Sequence, residues 1–241
     1  MNCRVIACDF DGTSATNGQP APELYAVLAE ARARGILTLL ATGRVLEEVQ
    51  RLCETAPLDV IVAENGAIVY LSGVGRIIQL GSLPPERFLD ELRATGVPFH
   101  TGAVIVATRK QYANQLLHLI HRFGIDAQLI YNRNDVMLLP SSINKATGIR
   151  RALDIMGRSE HNMVAFGDAE NDIPMLMSAA VGVAARDSIP AVLALADDRL
   201  PQPGGAGVAL YIRRILDCGG ILPSPRRKKI SSGKTSVGDD G

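Results

Sequence analysis

The chain has 241 residues, and 25 Lys+Arg stand against 25 Asp+Glu, so its formal net charge is zero. That balance excludes a global field of the kind that gathers nucleic acid or an anionic membrane surface. Aromatic residues make up 4% with no Trp, which excludes a base-stacking platform, while 47% hydrophobic residues and a mean hydropathy of +0.13 imply a well-filled core.

In chain order, "RVIACDF" reads as a buried strand. The segment "PAPELYAVLAEARARG" follows as a helix with Leu24, Val27, Leu28 and Ala31 on one face, Pro22 near its start and Gly35 past its end. The next strand is "ILTLLAT", the next helix "RVLEEVQRLCETA" and the third strand "DVIVA". This βαβαβ rhythm implies a parallel sheet covered on both faces, with every strand's C-terminal end on one edge. After Glu64 the rhythm changes: "ENGAIVYL" and "GRIIQLG" read as short hairpin strands, and Pro84-Pro85 marks a boundary. Residues 84–143 read as a small α+β insert, with helices over 86–94 and 111–123 and strands over 103–108, 128–131 and 136–139. The first rhythm then resumes with the helix "NKATGIRRALDIMG", the strands "NMVAFG" and "VGVA", and helices near 190–196 and 208–216. Residues 219–241 are polar and basic, and disorder is expected there.

Cys3, Cys8, Cys53 and Cys218 contain no CxxC pair and read as reduced thiols rather than a disulfide frame or zinc site. No apolar stretch reaches the roughly 18 residues that a membrane span requires. No leader peptide is read either, so a soluble, cytoplasmic protein is expected.

The chemistry concentrates at strand ends. Asp9 and Asp11 flank Phe10 where the first strand gives way to Gly12 and Thr13. A second acidic cluster, "GDAENDIPML", follows the late strand and supplies Asp168, Glu170 and Asp172. If the two strands are neighbours, the carboxylates converge on one edge, and that crowding of negative charge requires a counter-ion. Hard oxygen ligands that leave room for a substrate point to Mg²⁺. Thr42 and Gly43, after the second parallel strand, offer a hydroxyl and backbone N–H groups to a phosphate oxygen. Lys145, where the insert rejoins the first domain, supplies a cation to the same edge.

Taken together, "DFDGT", "ATGR", the lysine of "NKATG" and "GDAENDIPML" resemble motifs one to four of the haloacid dehalogenase (HAD) superfamily, in the right order and spread over the chain to about Leu216. The insert between motifs two and three, with its return "DVMLLPSSINKATGIRRAL", resembles the small type IIB cap of the Cof-like branch, as in phosphoglycolate-phosphatase-like members. The resemblance implies an α/β fold: a Rossmann-like parallel-sheet core of residues 1–83 and 144–218 with an α+β cap of residues 84–143. It implies a Mg²⁺-dependent phosphatase acting on a small phosphorylated metabolite, phosphoglycolate or a sugar phosphate. Asp9 would be the nucleophile and Asp11 the general acid and base. The metal would be held by Asp9, the backbone carbonyl of Asp11 and Asp168, with Asp172 steadying it. Thr42, Gly43, Lys145 and Asn171 would hold the phosphoryl oxygens. Arg109 and Arg133, at or just past cap strand ends, are candidates for a substrate carboxylate or sugar because the planar guanidinium suits such groups.

Two other readings are open on the sequence. One is a phosphomutase of the phosphomannomutase type. The other is a non-catalytic phosphometabolite-binding module whose basic run Arg226–Lys229 recruits a partner. No nucleic-acid or membrane partner is expected.

Overall fold

Residues 1–16 and 18–225 are described in the computed structural model of the chain. The basic run at 226–229 and the rest of the tail lie outside the described residues. The first domain begins with β1 (Val5–Asp9), a small ribbon of β2 (Ala15–Thr16) and β3 (Gln19–Pro20), α1 (Pro22–Ala33), β4 (Leu37–Ala41), α2 (Leu46–Leu52) and β5 (Val60–Ala63). The hairpin strands β6 (Ile68–Leu71) and β7 (Arg76–Gln79) follow. The insert contains α3 (Glu86–Ala94), β8 (His100–Thr101), β9 (Val106–Arg109), α4 (Ala113–Phe123), β10 (Ala127–Asn132) and β11 (Asp135–Pro140). The chain then returns through α5 (Lys145–Met156), β12 (Met163–Gly167), α6 (Ile173–Ser178), β13 (Val181–Ala184), α7 (Pro190–Leu195), β14 (Asp198–Arg199) and α8 (Gly204–Asp217).

The main sheet has eight strands in the order β14-β13-β12-β1-β4-β5-β6-β7, parallel through β5 and antiparallel beyond it. Strand β1 is central because its apolar run can be buried on both faces, and its side chains alternate between two layers. Ile6 and Cys8 pack with Leu24, Val27 and Leu28 of α1 and Ile212 of α8, while Val5 and Ala7 face Ile149 and Leu153 of α5 and Met175 of α6. Strands β12 and β4 flank β1 in register, Cys8 opposite Phe166 and Asp9 opposite Ala41. Sequence-distant strand ends are thus adjacent.

The insert forms a four-stranded antiparallel sheet in the order β10-β11-β9-β8. The same alternation divides β11: Val136 and Leu138 pack with Phe88 and Leu92 of α3 and Leu116 of α4, while Met137 and Leu139 join the core layer that contains Ala63 and Ile68. One face of this sheet is therefore the insert's own core and the other lies on the first domain.

Several elements differ from the sequence-based expectation. The expected strand over 103–108 pairs only from Val106, because the amides of 103–105 turn to a side chain of the first domain. Strand β8, only two residues long, has no counterpart in the sequence pattern. Helix α8 starts at Gly204, whose glycines hide it from periodicity. The expected tail begins too early. Cys3 N–H donates to the Gly220 carbonyl at 2.7 Å, Leu222 N–H donates to Met1, and Leu222 is 4% exposed, so one apolar side chain pins 219–222 onto the N-terminus. Among the described residues no helix is long and apolar enough to cross a membrane.

Burial pushes the Cys3 thiol up to about 11 and that of Cys8 up to about 12, whereas Cys218 is exposed. A thiol reagent at pH 8 is expected to modify Cys218 alone in the folded chain and all four cysteines after denaturation. Rapid native labelling of Cys8 would contradict the placement of β1.

Candidate active site

The C-terminal ends of β1, β4, β5 and β12 carry Asp9, Thr42, Glu64 and Asp168 along one edge of the sheet. Asp9 closes β1 and is buried, and its carbonyl accepts hydrogen bonds from the backbone and hydroxyl of Ser14, which fold the following loop back over the strand. That loop needs Gly12: its φ is +81°, and a Cβ there would lie 2.7 Å from the Asp168 carboxylate.

Helix α5 delivers Lys145 at its first turn. Asn144 and Thr147 form a capping box that fixes the helix start. A cation at a helix N-terminus opposes the helix dipole, and Lys145 is also 0% exposed, so its position must be compensated by anions. Its Nζ donates to Asp9 Oδ1 at 2.5 Å and to Asp172 Oδ1 at 2.6 Å. The other Asp172 oxygen accepts from the N–H groups of Asp168 at 2.8 Å and Ala169 at 3.0 Å, so Asp172 orients both Lys145 and the Asp168 loop. Asp168 accepts from the Thr13 hydroxyl at 3.2 Å and from the Arg133 guanidinium, whose Nε lies at 3.2 Å.

Carboxylate oxygens of Asp9, Asp168 and Asp172 lie within 4.8 Å of one another. Burial first, and then the Asp172 charge, push the Asp9 carboxyl well above the usual carboxylate range against the pull of Lys145. Burial and Asp172 likewise raise Asp168, opposed by Arg133. Burial works against the Lys145 ammonium, but Asp172 and Asp9 more than offset it, so its value stands above that of an ordinary lysine. One buried ammonium thus serves Asp9 and Asp172, and Asp168 is left to the half-exposed Arg133. This donor set of hard oxygens, short of positive charge, fits a small divalent cation.

Asp11 lies apart from that trio. Its carboxylate is held at both oxygens by Arg44, at 2.7 and 2.8 Å, and its side chain is 43% exposed. The Thr42 hydroxyl accepts from Arg44 N–H at 3.2 Å, and Gly43 sits beside Asn65 and Met137. Asn171 donates to Asn65 Oδ1 at 2.9 Å, and its own buried oxygen has no partner. Of the two cap arginines, Arg133 reaches the site from the β10–β11 turn with a positive φ, and its N–H also donates to Glu170 at 3.0 Å. Arg109 does not: it is exposed and pairs with Asp135 on the neighbouring strand. The sequence pattern assigns no role to Thr13, Arg44, Glu64 or Asn65. Arg44 stands inside "ATGR", and its partner Asp11 is visible only once the two loops are adjacent.

The family model described as "haloacid dehalogenase-like hydrolase" matches residues 6–112 and 98–212. A phosphoglycolate phosphatase of Methanosarcina acetivorans is 28% identical over 192 residues, covering 76% of this chain and 84% of the relative. Among solved structures, a haloacid dehalogenase-like hydrolase from B. subtilis superposes with a TM-score of 0.75 at 17% identity, over 88% of this chain and 99% of the other. A sugar phosphatase of HAD subclass IIB superposes with a TM-score of 0.73 at 18% identity, over 90% of this chain and 100% of the other. These matches span both the parallel-sheet domain and the insert, and the chain belongs to the haloacid dehalogenase-like hydrolases.

Proposed function

We propose that the chain is a Mg²⁺-dependent phosphatase that hydrolyses a small phosphorylated metabolite through an aspartyl-phosphate on Asp9, beneath a cap of residues 84–143. The observation that carries this reading is the meeting of Asp9, Asp168 and Asp172 with Lys145 at one edge of the sheet. The relative named as a phosphoglycolate phosphatase favours phosphoglycolate over a sugar phosphate.

The chemistry assigns a part to each side chain. An Asp9 oxygen forms a bond to phosphorus as the bond to the leaving alkoxide breaks, and Asp11 gives that alkoxide its proton. Water then attacks the phosphorus of the aspartyl-phosphate, its proton passes to Asp11, and the Asp9 carboxylate and inorganic phosphate are released. Asp9, Asp168 and the backbone carbonyl of Asp11 would hold Mg²⁺, which when bound neutralises charge on the phosphoryl oxygens. Asp172, whose oxygens hold Lys145 and the Asp168 and Ala169 amides, orients both and would steady the cation. Lys145, Thr42, Gly43 and Asn171 are the donors assigned to the phosphoryl group. Arg133 is the cap arginine assigned to the anionic end of the substrate, and Arg109, held by Asp135, takes no part.

Asp9→Asn is expected to abolish phosphate release from phosphoglycolate and from a panel of sugar phosphates, and near-normal release would refute the covalent route. Asp11→Asn is expected to lose on the order of 10²–10⁴-fold in turnover, the range for a positioned acid–base group. Chelation should silence the enzyme and added Mg²⁺ should restore it.

The raised carboxyls also set a pH dependence. As pH falls through their values, protons occupy Asp9 and Asp168 and the cation loses its ligands. The thermal stabilisation given by Mg²⁺ should therefore be larger at pH 8 than at pH 5. An equal shift at the two values would remove these carboxylates from the metal site.

A further inference from the structure

The sheet edge carries a buried acidic residue that the hydrolytic chemistry does not use. Glu64 follows β5, is 2% exposed and has a φ of 49°, a backbone conformation that costs free energy in a residue other than glycine. Burying a carboxylate demands compensation, and here the compensation is backbone. Oε1 accepts from Ala103 N–H at 2.8 Å, and Oε2 accepts from Val104 N–H at 2.8 Å and Ile105 N–H at 2.9 Å. Successive amides converging on one anion form a nest, and hydrogen bonds to a charged acceptor are stronger than neutral ones. The nest belongs to the insert, and the carboxylate belongs to the first domain. Gly102 completes the cradle, since a Cβ there would lie 2.4–2.6 Å from the carboxylate atoms.

The same residue also reaches the catalytic side. Glu64 N–H donates to the Arg44 carbonyl at 2.9 Å, and Arg44 is the residue that holds Asp11. Its neighbour Asn65, also at positive φ, donates its N–H to the Thr42 carbonyl at 2.9 Å and its side chain to Met137 of β11. One strained dipeptide thus touches the insert at two places and the nucleophile's edge at three, the third being the hydrogen bond that Asn171 donates to Asn65 Oδ1.

We propose that Glu64 is a latch: a positioning residue whose carboxylate fills the amide nest at 103–105 and thereby sets the stance of the insert over Asp9 and Asp11. Its consequence for turnover rests on the phosphatase reading, but the latch itself does not. The chemistry is specific to a carboxylate, which accepts at both oxygens. Glutamine accepts at one and turns an NH₂ group toward a donor.

The test compares the full chain with Glu64→Gln and Gly102→Ala, which disturb the contact from opposite sides. Hydrogen exchange of the Ala103–Ile105 amides is expected to quicken by roughly tenfold or more in both variants, while β1 and β12 keep the parent's rates. With p-nitrophenyl phosphate and Mg²⁺, KM should rise several-fold with a smaller change in kcat, because the catalytic edge stays intact while its cover loosens. Unchanged exchange at 103–105 would overturn the latch. So would equal acceleration through β1 and β12, which would mark general destabilisation, or a loss confined to kcat. Exchange is measured without substrate, so it tests the latch whether or not the chain hydrolyses phosphate.

Discussion

The ammonium of Lys145, buried between Asp9 and Asp172, is the constraint on which the site depends. Desolvating three charges is costly, and their mutual attraction compensates only with close geometry and further hydrogen bonds. The fold supplies both. Lys145 lies 136 residues from Asp9 in the chain, and a capped helix start holds it against the end of β1. Asp172 gives its second oxygen to the Asp168 and Ala169 amides, so the same ion pair that fixes Lys145 also fixes the loop carrying Asp168. Removing the ammonium would strand buried carboxylates, a loss of about 3–5 kcal/mol for breaking a buried pair from one side.

Around this centre the positive charge is divided among three side chains. Lys145 serves Asp9 and Asp172 from within, Arg44 holds the half-exposed Asp11, and Arg133 reaches Asp168 from the insert. The division separates two aspartates only two residues apart. Asp9 is sealed and its carboxyl is raised by burial, which leaves it in want of a cation, while Asp11 sits in wetter surroundings against Arg44. The proposed roles of nucleophile for Asp9 and proton carrier for Asp11 require such different environments. The insert contributes directly as well, since its hairpin turn supplies Arg133 and its sheet contributes Met137 and Leu139 to the main core.

The fold is largely legible in the sequence because β1, β4 and β5 are apolar runs separated by helices with clear start and stop signals, a pattern with few topological solutions. The gathering of Asp9 and Asp168 is legible for the same reason, since each stands where an apolar strand ends at one edge, whereas Lys145 opens α5 where the insert rejoins the first domain. Applied evenly, that rule would also single out Glu64, which follows "DVIVA" at the next strand end. What hides it is that its partners are backbone amides of 103–105, which carry no residue signature. Arg44 is hidden differently, since a bidentate pair between two loops depends on a register that only the assembled sheet provides. Arg109 and Arg133 look equivalent as strand-end arginines, and the turn at Arg133, with its positive φ, is what sends one inward while Asp135 keeps the other on the surface.

In the proposed mechanism this charge arrangement makes Asp9, and no other carboxylate, the acceptor of the phosphoryl group. Rapid acid quench during turnover of p-nitrophenyl phosphate, followed by peptide mass spectrometry, reads the acceptor directly. The account predicts a phosphoryl group on Asp9 that is absent from Asp9→Asn. A phosphoryl group on Asp11, Asp168 or any other side chain, or one that persists in Asp9→Asn, would contradict it.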